Sequence, residues 1–485
     1  MIFSSSLFLL YFLPVFLVVY YLIDRKFRNW FILLSSIFFY AWGAPVFVFI
    51  LAGSVLVDFF IIREMAHREK GQRKLLFWMS VIINLGLLLY FKYMNFFVDQ
   101  FDVILGWFGG KPGQWTKIAL PVGISFITFQ KLAYTFEVSR KTISPFRKIQ
   151  DYALYIFMFP QLLSGPIVRP GQISGQIADR ASQETVNDRL VGFYRFMIGL
   201  AKKVLIADTL ALSVNQIFSL SSPELSSSLA WAGAVAYTFQ IYFDFSGYTD
   251  MAIGLARMMG FRLPENFNNP YVSVGITEFW KRWHITLSTW LRDYIFLPLA
   301  YSVSRKMPKE HYIGLKVDKV IYLIATSVTF LICGFWHGAA WTFILWGVYQ
   351  GLFLILDRLF LLKVYKKITR IPGIVLTFLI TLFGWVLFRS ESLDYFYFFI
   401  RRMFSFESHN SDVWLNSKFW TMLAIAAFFS FWGVSKKIEK WQVKLFNMPG
   451  NALLIGFSIL AILLFILSEA TITSSGFSPF IYFRF

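Results

Sequence analysis

A polytopic all-α membrane protein is the fold class this sequence predicts, and three observations carry the prediction. Only 15% of the 485 residues are charged and 57% are hydrophobic, whereas a soluble domain carries roughly a quarter charged residues. Long apolar runs recur along the whole chain, among them Leu7–Ile23, Leu75–Tyr90, Ile374–Phe388 and Ala452–Leu467. The basic residues behind the net charge of +19 crowd short loops between such runs, as the positive-inside rule describes for cytoplasmic loops. The excess is therefore assigned to membrane topology and lipid headgroups, and nucleic acid is not an expected partner.

Taken in order, Leu7–Ile23 is predicted as the first span. The preceding MIFSSS has no basic stretch and no A-x-A-like site follows, so a cleaved signal peptide is not expected. Basic segments at Asp24–Arg28, Arg63–Lys74 and Ser139–Lys148 alternate with weakly charged turns at Ala41–Pro45 and Gly106–Trp115. Five crossings that begin outside put all three basic segments in the cytoplasm and both turns on the other side. Asn29–Tyr40 is short for a span and is also compatible with a re-entrant segment. Roughly ten to thirteen membrane segments are expected in all, some broken, some lying in the interface. No polar stretch is long enough to fold alone, so residues 1–485 are read as one membrane domain with its chemistry-bearing motifs between 237 and 356.

Ionisable groups at membrane depth are costly and point to function. Asp244 and Asp250 interrupt an apolar, aromatic stretch, with Ser246 and Gly247 between them. A helix break there is expected, with the carboxylates either facing a cavity or capping helix ends. Ile276–Leu299, wound as a single helix, stacks Trp280, His284 and Ser288 on one stripe and reads as an amphipathic interfacial helix. Its Lys281, Arg282 and Arg292 suit either a phosphorylated ligand or anionic headgroups. Asn268 and Asn269 lie in the turn-rich PENFNNPYVS just before it. His337 stands in CGFWHGAAW, within a tract free of Asp, Glu, Lys and Arg from Val320 to Leu356. Away from water the imidazolium is disfavoured, and a neutral ring is what a general base requires. A buried histidine bonded across helices is the alternative. Gly334 and Gly338 flank Phe335, Trp336 and His337 and permit close backbone approach. Cys333, the one cysteine, excludes an internal disulfide and reads as a small hydrophobe in preference to a nucleophile. No metal site is predicted, because neither His284 nor His337 has H-x-x-x-H or paired-carboxylate company.

FDFSGYTDMAIGLARMMGF, ENFNNPY, ITEFWKRWHITLSTWLRDY and GFWHGAAWTFILWG, in that order, resemble the membrane-bound O-acyltransferase (MBOAT) family, and most of all its bacterial alginate O-acetyltransferase branch. LPVGISFITFQ, FPQLLSGPIVR and KKVLIADTLA extend the likeness over most of the chain. The resemblance implies a multi-helix fold around a central tunnel, with His337 as the catalytic histidine and His284 as the second. It implies acetyl-CoA as a cytoplasmic donor substrate, with no permanently bound cofactor. Acetyl would cross the bacterial inner membrane to hydroxyls of an exported polysaccharide through an extracytoplasmic acetyltransferase partner. Trp336, Asp244, Asp250, Asn268, Asn269, Lys281, Arg282, Ser288 and Arg292 are the accompanying candidates for holding donor or acceptor. Alginate, cellulose, another exopolysaccharide and peptidoglycan are all compatible acceptors. A saccharide transporter or flippase is the alternative of a different class, disfavoured by the absence of related halves.

Overall fold

Nearly every apolar run winds into helix, because in hydrocarbon each backbone N–H and C=O must be paired within its own segment. A computed structural model describes residues 1–113, 115–221, 224–312, 314–406, 413–435, 437–438, 440–441 and 451–475. The chain divides into two compact units, one formed by Met1–Phe193 with Ala252–Pro264, the other by Tyr194–Met251 with Glu265–Phe485.

In the first unit a widened turn at Leu7–Phe12 leads into α1 (Leu13–Leu22), followed by α2 (Arg25–Gly43), α3 (Phe47–His67) and α4 (Lys70–Leu88). A second widened turn, Leu89–Tyr93, joins α4 to α5 (Met94–Trp107). The expected short second span is thus a helix of 19 residues. After a long connection come α6 (Ile124–Ser139), α7 (Ile149–Phe157), α8 (Phe159–Leu162) and α9 (Pro170–Ala178). Asp58 of α3 is fully buried, and its carboxylate accepts from Ser80 Oγ (2.6 Å), Asn84 Nδ2 (3.1 Å) and Tyr152 OH (2.6 Å). Those donors are what let a carboxylate stay inside an apolar bundle. Glu184 is held in the same way by Arg28 and by Tyr20 OH.

α10 (Val186–Ala201) and α12 (Ser227–Met258) each contribute residues to both units. In the second unit, a wide turn at Lys202–Asp208 precedes α11 (Thr209–Ile217). α12 then runs unbroken through Ser246 and Gly247, contrary to the expected interruption. The glycine serves close packing instead: a Cβ at Gly247 would stand 2.7 Å from the Gly199 carbonyl oxygen. Ile276–Leu299 also departs from expectation. It forms α13 (Ile276–Arg282), α14 (Ile285–Leu291), a wide turn at Arg292–Phe296 and the start of α15 (Leu297–Lys306).

A two-residue hairpin, β1 (His311–Tyr312) with β2 (Leu315–Lys316), precedes α16 (Val317–His337), and α17 (Trp341–Leu356) returns against it. The remainder is α18 (Leu362–Lys367), α19 (Arg370–Arg389), α20 (Leu393–Met403), α21 (Ser417–Phe431) and α22 (Asn451–Ser475). Ser392 caps α20 by accepting from Tyr395 N–H, and Asn416 caps α21 through Phe419 N–H. Among the described residues, six helices are long and apolar enough to cross a membrane. They are Lys70–Trp107, Val317–His337, Trp341–Lys367, Arg370–Arg389, Ser417–Val434 and Ile455–Ser474, with Leu7–Leu22 a shorter apolar helix.

Candidate active site

The site lies in the second unit and is built on two turns. The first ends α16. Gly338 and Ala340 are extended, which stops the helix at His337 and lets α17 start at once in the opposite direction. The two helices touch backbone to backbone, as the glycine spacing leads one to expect. A Cβ on Gly334 would meet Phe343 O at 2.4 Å, and one on Gly347 would meet Phe330 O at 2.3 Å. This contact fixes where His337 projects. Its ring packs edge-on against Trp346 (centroids 4.8 Å apart) and Phe388 of α19 (5.3 Å), with Trp336 at 5.0 Å. The aromatic wall leaves His337 only 4% exposed.

The second turn carries His284. Trp283 is extended and His284 sits in the left-handed region at φ 43°, ψ 54°, a conformation that costs a non-glycine residue about 1–3 kcal/mol. The cause lies upstream, in the segment that includes Asn266 and Asn268. Ile285 N–H donates to the Asn266 carbonyl (2.9 Å), Thr286 N–H to Asn266 Oδ1 (3.2 Å), and Asn268 N–H to the Arg282 carbonyl (2.9 Å). These bonds stand in for the i→i−4 bonds a continuous helix would make, so the chain turns where its helical spacing suggests it should run straight. The stripe of Trp280, His284 and Ser288 is therefore not formed.

Asn266 also fixes the histidine's proton. Its Oδ1 accepts from Thr286 N–H and from Thr286 Oγ1 (2.9 Å), and a backbone N–H only donates, so the atom there is the amide oxygen. His284 Nδ1 faces that same oxygen at 3.1 Å and therefore carries hydrogen, which makes Nε2 the basic nitrogen. The ring is wholly buried, edge-on to Phe245 at 4.7 Å. It lies outside the six long apolar helices, and burial pushes its pKa down to about 3, so it is neutral at ordinary pH. Trp336 brings the two histidines together, its indole lying 6.3 Å from the His284 ring and 5.0 Å from that of His337.

Asp244 and Asp250 neither cap a helix nor stand alone. Asp244 is paired with Lys203 Nζ (2.8 Å), which also reaches Asp208 (2.7 Å). Asp250 is paired with Arg195 (2.9 Å) and Lys202 (2.6 Å), and Arg195 continues to Glu265. The wide turn at Lys202–Asp208 is what delivers two consecutive lysines to two carboxylates six residues apart on α12. Asn268 is exposed, while Asn269 is buried with φ 44° and packs against Gly433. Ser288 Oγ donates to the Trp283 carbonyl at 3.4 Å. Lys281 and Arg292 are exposed, Arg292 pairing with Asp293, and Arg282 binds Glu278 Oε1 and the Asn268 carbonyl. These bonds run to backbone carbonyls and carboxylates, not to the histidine rings. The residues sequence reasoning missed are Asn266, Lys202, Lys203, Trp346 and Phe388. Asn266 stands two positions from Asn268 in the stretch already marked as hydrogen-bonding, and KKVLIADTLA already carried the lysines.

Comparison with known proteins identifies the family. The MBOAT, membrane-bound O-acyltransferase family pattern matches residues 126–390, which include both histidines, Asn266, Trp336 and Phe388. The chain is 41% identical over 408 residues to a "Probable alginate O-acetylase AlgI" of Pseudomonas aeruginosa, covering 84% of this chain and 75% of the relative. It is 38% identical to the protein of that name from Pseudomonas putida over the full length of both. A "Peptidoglycan O-acetyltransferase" of Helicobacter pylori is 34% identical, covering 81% of this chain and 78% of the relative. A multi-pass helical chain that matches this family pattern over residues 126–390 and these relatives over most of its length leads to one conclusion: the chain belongs to the membrane-bound O-acyltransferase family.

Proposed function

We propose that this membrane O-acyltransferase is a bacterial inner-membrane O-acetyltransferase. It takes acetyl from cytoplasmic acetyl-CoA and delivers it, through an extracytoplasmic partner, to hydroxyls of an exported polysaccharide of the alginate type. The observation that carries this reading is the pair of buried imidazoles on one indole, with the tautomer of His284 set by Asn266. His337 is the general base. It takes the acceptor's proton as the hydroxyl oxygen attacks the thioester carbonyl, and the C–S bond then breaks and the departing thiolate recovers the proton. His284 presents Nε2 as an acceptor, which suits it to orient the incoming hydroxyl. The Trp336 indole N–H, a donor only, has the polarity an oxyanion needs. A site walled by aromatic rings keeps water from competing for the thioester. Exposed Lys281 and Arg292 are assigned to the donor's phosphates.

The test is His337→Ala, with acetyl content measured on the purified exported polymer and membrane insertion checked in parallel. Acetylation is expected to be abolished with insertion intact, and normal acetyl content would reject the assignment. The relative from Helicobacter pylori supports peptidoglycan as a second acceptor. Loss of acetyl from muramic acid, with other polymers unchanged, would favour it.

A further inference from the structure

Asp357 is the first charged residue after the tract from Val320 to Leu356, and the chemistry described so far does not use it. It follows α17, opens a wide turn over Asp357–Leu361 and is fully buried. A carboxylate kept from water needs donors, and this one finds its donor on another helix. Asp357 Oδ2 accepts from Thr277 N–H, in the first turn of α13, at 2.8 Å. That N–H is among those a helix leaves open at its start. Gly275, in the capping position, has no side chain to offer an acceptor, so the acceptor comes from outside. Gly275 has a positive φ of 99°, and a Cβ there would stand 3.0 Å from Asp357 Oδ2. Glycine is what lets the start of α13 lie on the carboxylate. The Gly275 N–H itself goes to Thr377 Oγ1 of α19 at 2.7 Å.

α17 holds α13 a second time. Gln350 is also fully buried, and its Oε1 accepts from Trp280 Nε1 at 3.3 Å. An indole N–H only donates, so the atom facing it is the amide oxygen. The later residue of α17 holds the earlier residue of α13, so α13 runs back along α17 towards the turn that carries His337. It ends at Arg282, two residues before His284. Trp280 lies edge-on to Trp346 at 5.9 Å, and Trp346 edge-on to His337 at 4.8 Å. α17 is in turn fixed to α16 at Gly334 and Gly347.

We propose that Asp357 and Gln350 are positioning residues for acyl transfer, holding α13 on α17 and thereby setting His284 against Trp336 and His337. Both act through α13 and not on the substrate. This role rests on the two-histidine reading given above.

The test compares Asp357→Leu, which removes the acceptor, with Asp357→Asn, which keeps an acceptor oxygen for Thr277 N–H and loses the charge. Acetyl is measured on the purified polymer and normalised to folded, inserted protein, with His337→Ala run in parallel. Small misplacements remote from the chemistry are costly, so Asp357→Leu is expected to slow transfer about tenfold or more. Asp357→Asn is expected to stay within about twofold of the parent, because the hydrogen bond is kept. Parental transfer in Asp357→Leu, or a fall only in proportion to folded protein, would overturn the role. An Asp357→Asn protein as slow as Asp357→Leu would overturn the hydrogen bond as its cause. Should Asp357→Leu fail to insert, Gln350→Met and Trp280→Phe decide the matter. Acting through one bond, they are expected to slow transfer singly and to give a double variant little slower than the worse single; losses that multiply in full would overturn the proposal. Parental acetylation in His337→Ala would reject the two-histidine reading and this role with it, whereas its loss there beside parental transfer in Asp357→Leu would overturn this role alone.

Discussion

Substituting His284 by asparagine separates the chemistry of the ring from the geometry of its turn. The backbone there is left-handed, with φ 43°, and asparagine adopts that conformation far more readily than most residues do. His284→Asn is therefore expected to fold and insert like the parent, with an unfolding midpoint in detergent close to it, whereas His284→Ala adds strain to the loss of the ring. The complementary change is Asn266→Ala. It removes one oxygen that accepts from Thr286 N–H, Thr286 Oγ1 and His284 Nδ1, at about 0.5–1.5 kcal/mol for each bond, or roughly 1.5–4.5 kcal/mol in all. If the freed ring loses about 2.7 kcal/mol of transition-state stabilisation, transfer slows about 100-fold, since each 1.36 kcal/mol is a factor of ten. The assay is acetyl transfer in cells expressing each variant, quantified on the polymer and normalised to inserted protein. A stable His284→Asn protein with parental transfer would refute a chemical role for the imidazole. An Asn266→Ala protein with parental stability and transfer would refute the anchoring argument.

Three further outcomes follow from the same structure. Lys203→Met leaves Asp244, whose side chain is 3% exposed, without its cation, and a loss of about 3–5 kcal/mol is expected in denaturant titrations; the double change with Asp244→Asn should recover much of it. Gly334→Ala forces a methyl to 2.4 Å from the Phe343 carbonyl oxygen, so a destabilisation of at least about 1–3 kcal/mol is expected by thermal unfolding, while Gly456→Ala, where nothing stands within 4 Å, is expected to be silent. For His284 the folded pKa of about 3 lies below the ordinary 6.5, so between those values the unfolded chain binds more protons than the folded one. Stability is therefore expected to fall as pH drops from 6.5 towards 3 and to be indifferent to this group above 6.5; the slope of unfolding midpoint against pH should shrink in His284→Asn.

Legibility from sequence followed the range of the forces involved. The helical membrane class, the close approach at Gly334 and the burial of His337 depend on local composition, and they could be read directly. The break before His284 could not, because its cause is Asn266, eighteen residues upstream, and helical periodicity carries no record of a hydrogen bond to another segment. Gly247 misled for a related reason. A glycine beside a serine permits a break, but the partner that decides its use is Gly199 on another helix. The deep aspartates drew notice, yet their cations depend on the wide turn at Lys202–Asp208, which composition does not disclose. Membership of an acyltransferase family also removes the transporter alternative, which broken helices and deep charges alone had left open.

The shared indole has a consequence for how the enzyme's mutants will be read. Because Trp336 is a party wall between two imidazoles, replacing it perturbs both neighbours at once, and no single rate deficit can be credited to either. Only a thermodynamic cycle over all three positions will apportion the loss, and its terms should fail to add.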